Sequence, residues 1–118
     1  MITLTFGPNT LILDVMGLDR LWSLKSHLEL PLSHIQQVRV EEQAAIPWKE
    51  GLRAPGTHLP GVLAAGTFYT HGRKVFADIR EGQPALVLEL HHESYDQLIF
   101  QTDDLQADLL RIREALPS

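Results

Sequence analysis

Alternation of apolar and polar residues marks most of the first third of the chain. Residues 2–6 and 10–15 alternate with period two, and the turn cluster Gly7-Pro8-Asn9 separates them. This pattern predicts a hairpin of two half-buried strands. Alternation returns over residues 28–32, where Pro31 favours an edge position or a strand end, and again over 35–41. These patterns predict further short strands.

The segment between the hairpin and residue 28 has a different spacing. Leu18, Leu21 and Trp22 follow the i, i+3, i+4 pattern, which predicts a short helix over residues 18–24. A strand in which Trp22 and Leu24 share one face is the alternative interpretation.

Residues 44–60 are predicted to form a long connection with distinctive spacing. Glycines recur at positions 51, 56, 61 and 66, and Pro55 and Pro60 each precede one of them. Pro-Gly suits the centre of a type II turn, because proline sets φ and glycine supplies a positive φ. The spacing predicts two ordered turns before an apolar strand. It predicts no phosphate-binding loop, since Gly66 leads into a strand without the Gly-Lys-Ser/Thr signature.

The second half of the chain continues the strand pattern and ends in a helix. The predicted strands cover residues 62–70, 74–79, 85–90 and 97–101. The period then changes to that of a helix. Its apolar stripe consists of Leu105, Leu109, Ile112 and Leu116. Asp103 is the predicted N-cap, and Gln106 would complete a capping box.

These elements predict a mainly β fold of the α+β class. It has about seven short antiparallel strands, which is typical of a sandwich or barrel. A short helix lies near residues 18–24, and a C-terminal helix near 103–116 covers an edge or mouth of the sheet system. With 118 residues, the chain is predicted to form a single domain over residues 1–118.

Three phrases of the sequence carry a family resemblance. They are Leu30-Pro31-Leu32-Ser33-His34-Ile35 with Val38-Arg39-Val40, the run from Gly51 through Pro60-Gly61-Val62 to Gly66-Thr67-Phe68, and Tyr95-Asp96-Gln97-Leu98-Ile99 leading to Asp103-Asp104. Together they resemble bacterial pleckstrin-homology-like (PH-like) domains that occur as small stand-alone proteins. The resemblance spans nearly the whole chain. It implies a PH-like barrel with a C-terminal capping helix, frequent self-association and no established activity.

The same resemblance bears on membrane binding. Eukaryotic relatives bind inositol phosphates through basic residues around the first hairpin. In this chain the first turn is Gly7-Pro8-Asn9, with no lysine or arginine near it. We therefore expect no phosphoinositide or membrane binding.

Composition narrows the classes of function. The net charge is −5, which disfavours nucleic acid and anionic membranes as partners. The absence of cysteine excludes disulfides, Cys-ligated zinc, iron–sulfur clusters and a thiol nucleophile. The N-terminal residues lack the basic start and apolar run of a signal peptide, which favours a cytoplasmic protein.

Candidate catalytic and metal-ligating residues form no recognisable motif. Six histidines are present, but His91 and His92 are adjacent and would point to opposite faces of an extended segment. No serine lies in Gly-x-Ser-x-Gly. The sequence therefore predicts no catalytic residue, no metal site and no cofactor.

The function predicted best is a non-enzymatic binding or scaffolding module that recognises protein, with a second copy of the chain as one candidate partner. Leu110 lies off the apolar stripe of the last helix and is the candidate self-association residue. The alternative is a small-ligand or anion-binding protein that uses the 51–61 loop with Arg53 and His58, although a structural arginine explains Arg53 more simply. Trp48 is a candidate partner-binding aromatic, with packing the simpler interpretation. An enzyme is the third alternative.

Overall fold

The computed structural model describes residues 2–16, 27–43, 51–59, 63–70, 72–80 and 82–116, with the main chain alone at 51–59, 63, 64 and 70. The strands are β1 (Ile2–Phe6), β2 (Thr10–Val15), β3 (His27–Pro31), β4 (Ile35–Glu41), β5 (Gly51–Leu59), β6 (Leu63–Thr70), β7 (Arg73–Arg80), β8 (Ala85–Leu90) and β9 (Gln97–Phe100). A 3₁₀ turn covers Leu32–His34, and the helix α1 covers Leu105–Ala115. The predicted helix at 18–24 lies outside the described residues.

The first three strands form one antiparallel sheet in the order β1-β2-β3. In the predicted hairpin, Leu4 pairs with Leu13, and on the other side of β2 Leu11 pairs with Leu30. These leucines are all buried, while the alternate positions of β1 are exposed. The alternation in the sequence therefore has the expected cause, because one face of this sheet packs on the core and the other faces solvent.

The other six strands form a second sheet in the order β4-β8-β9-β7-β6-β5. The strand β9 lies between β7 and β8 and runs parallel to β7, with Phe76 opposite Leu98. The prediction of about seven antiparallel strands is thus wrong in number and in this one pairing, because the described part of the chain alone has nine strands. No pairing among the described residues closes either sheet into a barrel.

The strand β5 corrects part of the prediction that residues 44–60 form a long connection with two turns, because residues 51–59 are a strand. It pairs with β6 on both sides of Ala54 and Pro55 and lies at the edge of the sheet. The register shifts between Arg53 and Gly56, at the position of Pro55. Proline has no N–H to donate, and an irregular register at an edge accommodates that loss without a turn. The second predicted turn, at Pro60-Gly61, lies outside the described residues.

A hydrophobic core joins the two sheets and the helix. It includes Leu11 and Leu13 from the first sheet, Phe76 and Leu88 from the second, and Ile112 from α1. A smaller cluster of Phe68, Ala77, Ile79 and Ala85 lies on the opposite face of the second sheet. The six-stranded sheet therefore has buried apolar residues on both faces.

The C-terminal helix has the predicted apolar stripe. Leu109 and Ile112 are buried, and Leu105 and Leu116 pack against the same core. The N-cap is Asp104 instead of Asp103, since the Asp104 carboxylate accepts a hydrogen bond from the Ala107 N–H at 3.1 Å. This shift by one residue removes the predicted capping box, because residue 106 is no longer at the third helical position. No helix in the described part of the chain is long and apolar enough to cross a bilayer.

Candidate functional site

Polar and titratable side chains concentrate at one end of the six-stranded sheet. The strand β8 ends there, while β4 begins opposite it, with Ile35 paired to Leu90. The strands β7 and β9 also begin at this end, where Val75 pairs with Gln97. Residues 91–96 connect β8 to β9 across the same end. The topology thus brings together side chains that are up to about 60 positions apart in the sequence, as in the His34–Glu93 pair.

Main-chain hydrogen bonds hold the 91–96 connection at both of its ends. The His91 N–H donates to the His34 carbonyl at 2.9 Å, and the Leu90 N–H donates to the Asp96 carbonyl at 2.9 Å. The Asp96 N–H donates to the Lys74 carbonyl, and the Asp96 carboxylate accepts from the Lys74 N–H, both at 2.8 Å. The connection is therefore tied to β7 and to the 3₁₀ turn that precedes β4.

Three imidazoles and one carboxylate form the histidine cluster, which consists of His34, His91, His92 and Glu93. The ring centroid of His34 lies 6.2 Å from that of His91 and 5.9 Å from that of His92, and the latter two are 4.8 Å apart. His34 Nδ1 and Glu93 Oε2 form a hydrogen bond of 2.5 Å. His91 Nε2 donates to the Ser33 carbonyl at 2.8 Å.

The expectation that His91 and His92 point to opposite faces is wrong. It assumed an extended segment, but the chain bends directly after β8, and His92 has a φ of 59°. This left-handed conformation turns the second imidazole back towards the first. The adjacent residues therefore share one side of the connection, together with His34.

The second constellation is the Glu89 network, which consists of Glu89, Arg39, Arg73 and Gln97. Arg39 and Gln97 each donate to Glu89 Oε2 at 2.6 Å, and Arg73 donates to Oε1 at 2.5 Å. The Glu89 side chain is only 16% exposed. Burial by itself raises the pKa of Glu89, but the three hydrogen bonds outweigh it and lower the pKa from 4.5 to about 2.

The Glu89 network is a structural ion-pair cluster. Its carboxylate joins β8 to β4 through Arg39, to β9 through Gln97 and to the start of β7 through Arg73. Both guanidinium groups bind Glu89, and Arg73 also donates to the Asp96 carbonyl at 3.3 Å. These arginines are therefore engaged within the fold.

Tyr95 anchors the connection of residues 91–96 to the end of the sheet. Its ring is buried, its hydroxyl forms a 2.7 Å hydrogen bond with the Thr67 hydroxyl, and Lys74 Nζ lies 4.7 Å from its ring centroid. Phe76 contacts the same ring edge-on at 5.8 Å. The tyrosine thus has a packing role at this site.

The site residues predicted from the sequence lie elsewhere. Arg53 and His58 belong to β5, where their main chains pair with Phe68 and Ala64, and their side chains are outside the described part of the structure. Trp48 lies outside the described residues altogether. The anion-binding hypothesis for Arg53 and His58 stays a prediction, although the segment that carries them is a strand and not a loop.

Leu110 lies on the exposed side of α1, as its position off the apolar stripe indicates. Its side chain is 55% exposed, whereas its neighbour Leu109 is 6% exposed. Beside it, Phe6, Arg111, Glu114 and Ala115 line an open groove of about 320 Å³. The Arg111 guanidinium covers the Phe6 ring at 4.5 Å.

Sequence reasoning missed both constellations at the sheet end. Glu89 gave the one local signal, a charged residue within the otherwise apolar strand Ala85–Leu90. The histidine cluster gave none, because it depends on the pairing of β4 with β8 and on the φ of His92.

Comparisons of the chain with protein-family models, with curated proteins and with solved structures found no match. The PH-like interpretation therefore stays a prediction.

Proposed function

We propose that this protein is a non-enzymatic binding module that recognises protein through the outer face of α1, with a second copy of the chain as its partner. The observation that carries the proposal is the 55% exposure of Leu110 on a helix whose other leucines and isoleucine face the core. A single exposed leucine is common on protein surfaces. The residues that surround Leu110 distinguish it from such an isolated leucine.

The charges along α1 are arranged for self-recognition. Asp103 and Asp104 are exposed at its start, and Arg111 and Arg113 are exposed near its end, where Glu114 is the one exposed carboxylate among the described residues of the last turn. Two copies that pack their helices antiparallel about a two-fold axis bring the acidic start of each helix to the basic end of the other. Such an isologous contact uses the same patch twice, which is the commonest arrangement in homodimers.

The small side chain of Ala107 on one copy leaves room for Leu110 of the other copy to pack. Both residues are exposed and lie three positions apart, on one side of the helix. If Leu110 of one copy contacts Ala107 of the other, the antiparallel register places Arg113 opposite Asp104. The Arg111 guanidinium donates to Asp108 at 3.1 Å and lies over Phe6, so we assign the intermolecular ion pair to Arg113.

The small area of a contact between two short helices predicts weak association. Stable interfaces bury roughly 1,600 Å² in total, and one pair of short helices buries less. We therefore expect a monomer–dimer equilibrium that depends on protein concentration and weakens with salt, because its ion pairs lie at the surface. The resemblance of the sequence to PH-like domains, which stays a prediction, also implies self-association.

Light scattering over a concentration series tests this function. The parent mass should rise with concentration, and Leu110→Glu should keep the protein monomeric. Ala107→Glu should do the same, although a carboxylate in the first turn favours the helix itself. Met16→Glu is the matched control, since Met16 is 49% exposed and directly follows β2. A parent that stays monomeric at high concentration, or a Met16→Glu variant that loses association equally, contradicts the proposal.

A further inference from the structure

The spacing of the three imidazoles in the histidine cluster approaches that of the ligands of one metal ion. Imidazole nitrogen binds Zn²⁺ at about 2.0–2.1 Å, which puts two tetrahedrally arranged ring centroids about 5 Å apart. The centroids of His34, His91 and His92 are 4.8, 5.9 and 6.2 Å apart. The separation of His91 and His92 fits this value, whereas the two separations from His34 exceed it. Metal binding therefore requires the rings to rotate and to close in on His34 before one nitrogen of each ring faces a common point.

Hydrogen bonds already select the ring nitrogens that would bind the ion. The Glu93 carboxylate accepts from Nδ1 of His34, which leaves the lone pair of the neutral ring on Nε2. The Ser33 carbonyl accepts from Nε2 of His91, which leaves the lone pair on Nδ1. Metal-binding histidines almost always donate their other N–H to a carboxylate or a backbone carbonyl. Two of the three imidazoles have this arrangement.

The main chain holds the segments of the histidine cluster together, and the imidazoles stay accessible to solvent. The His91 N–H is bonded to the His34 carbonyl at 2.9 Å, so the two segments that carry the imidazoles are directly joined. His92 takes a left-handed φ of 59°, a conformation that non-glycine residues adopt uncommonly. His92 is exposed and His34 and His91 are partly exposed, which gives an ion access from solvent.

We propose that His34, His91 and His92 bind one divalent transition-metal ion, with Zn²⁺ as the reference ion and Glu93 as the residue that positions His34. Among the described residues, no three ligating side chains converge on a metal position as they stand. Binding therefore includes the ring rotations described above. Three imidazoles suit ions of borderline softness such as Zn²⁺, and they leave a fourth coordination position open to solvent or to a partner group.

Titration of the purified protein with Zn²⁺ and with Co²⁺ tests this site. We expect saturable binding of one ion, with visible d–d absorption of the Co²⁺ complex typical of four-coordinate geometry. His34→Gln, His91→Gln and His92→Gln should each weaken the apparent affinity at least about tenfold. Glu93→Gln should also weaken it about tenfold while the Co²⁺ spectrum at saturation keeps its shape, because Glu93 acts through His34.

His27→Gln is the matched control. His27 bonds to Asp14 at 2.6 Å in the three-stranded sheet and is 56% exposed, so its loss should leave Zn²⁺ affinity unchanged. If a histidine variant fails to fold, an NMR titration of the parent protein takes the place of that comparison. Zn²⁺ should then shift the imidazole signals of the histidine cluster and leave those of His27 unchanged. No saturable binding to the parent, or equal loss in His27→Gln, overturns the proposal and leaves the His34–Glu93 pair as a structural contact only.

Discussion

The side-chain amide of Gln101 forms hydrogen bonds with both the main-chain N–H and the main-chain carbonyl of Arg80. Its Oε1 accepts from the Arg80 N–H at 2.8 Å, and its Nε2 donates to the Arg80 carbonyl at 2.9 Å. Gln101 directly follows β9, whose last residue, Phe100, pairs with Asp78. The amide therefore extends the pairing of β7 with β9 by a side chain where the main chain has left the sheet. The amide also lies beside the connection from β7 to β8, which has to pass the end of β9 because β9 lies between those two strands.

Replacing Gln101 by alanine should destabilise the fold. The side chain is buried and supplies a donor and an acceptor to Arg80, so its removal should lower the free energy of unfolding by about 1–3 kcal/mol. Urea denaturation of Gln101→Ala measures this loss. Gln36→Ala, at an exposed position of β4, is the control and should stay within about 0.5 kcal/mol of the parent. Equal midpoints for the two variants would show that the amide contributes nothing.

The Glu89 network should make stability depend on acid pH. The pKa of Glu89 falls from 4.5 to about 2 on folding, so the folded protein favours the ionised form. The stabilisation is complete above pH 4.5 and is lost as the pH falls towards about 2. Glu89→Gln should therefore be less stable than the parent at neutral pH, and the difference should shrink across this window. Urea midpoints measured against pH test it, and a difference that stays constant with pH would contradict the assignment.

Much of the fold could be predicted from local patterns, because each pattern has one physical cause. The period-two alternation of β1 and β2 follows from a sheet with one buried face. The stripe that includes Leu109 and Ile112 follows from a helix that packs one side on the core. These signals depend on neighbours close in sequence.

The order of the strands and the candidate metal site depend on contacts that no local pattern encodes. Alternation specifies which face of β9 is buried, but it does not specify that β9 enters between β7 and β8. Proline and glycine in β5 favour a turn locally, and pairing with β6 overrides that preference. The candidate metal site was missed for the same reason, since His34 meets His91 only through the pairing of β4 with β8.

Gly66 should tolerate a side chain poorly. It lies in β6 opposite Gly56 with a φ of 126°, a conformation beyond the left-handed region that L-residues reach. Gly66→Ala should therefore lower the free energy of unfolding by about 1–3 kcal/mol. Gly72 provides the comparison, since its φ is 74° and nothing lies within 4 Å of an added Cβ. Gly72→Ala should cost less than Gly66→Ala in urea denaturation, and the reverse order would contradict the strain at position 66.

Adjacent leucines in α1 should respond very differently to the same substitution. Leu109 is 6% exposed and belongs to the core, whereas Leu110 is 55% exposed. Leu109→Ala should lower the free energy of unfolding by about 2–5 kcal/mol, because it removes buried methyl groups and leaves a cavity. Leu110→Ala changes helix propensity equally and should stay within about 0.5 kcal/mol when measured at a concentration where the protein is monomeric. If Leu110→Ala also unfolds the protein in urea denaturation, Leu110 belongs to the core, and the proposed contact on the outer face of α1 is lost with it.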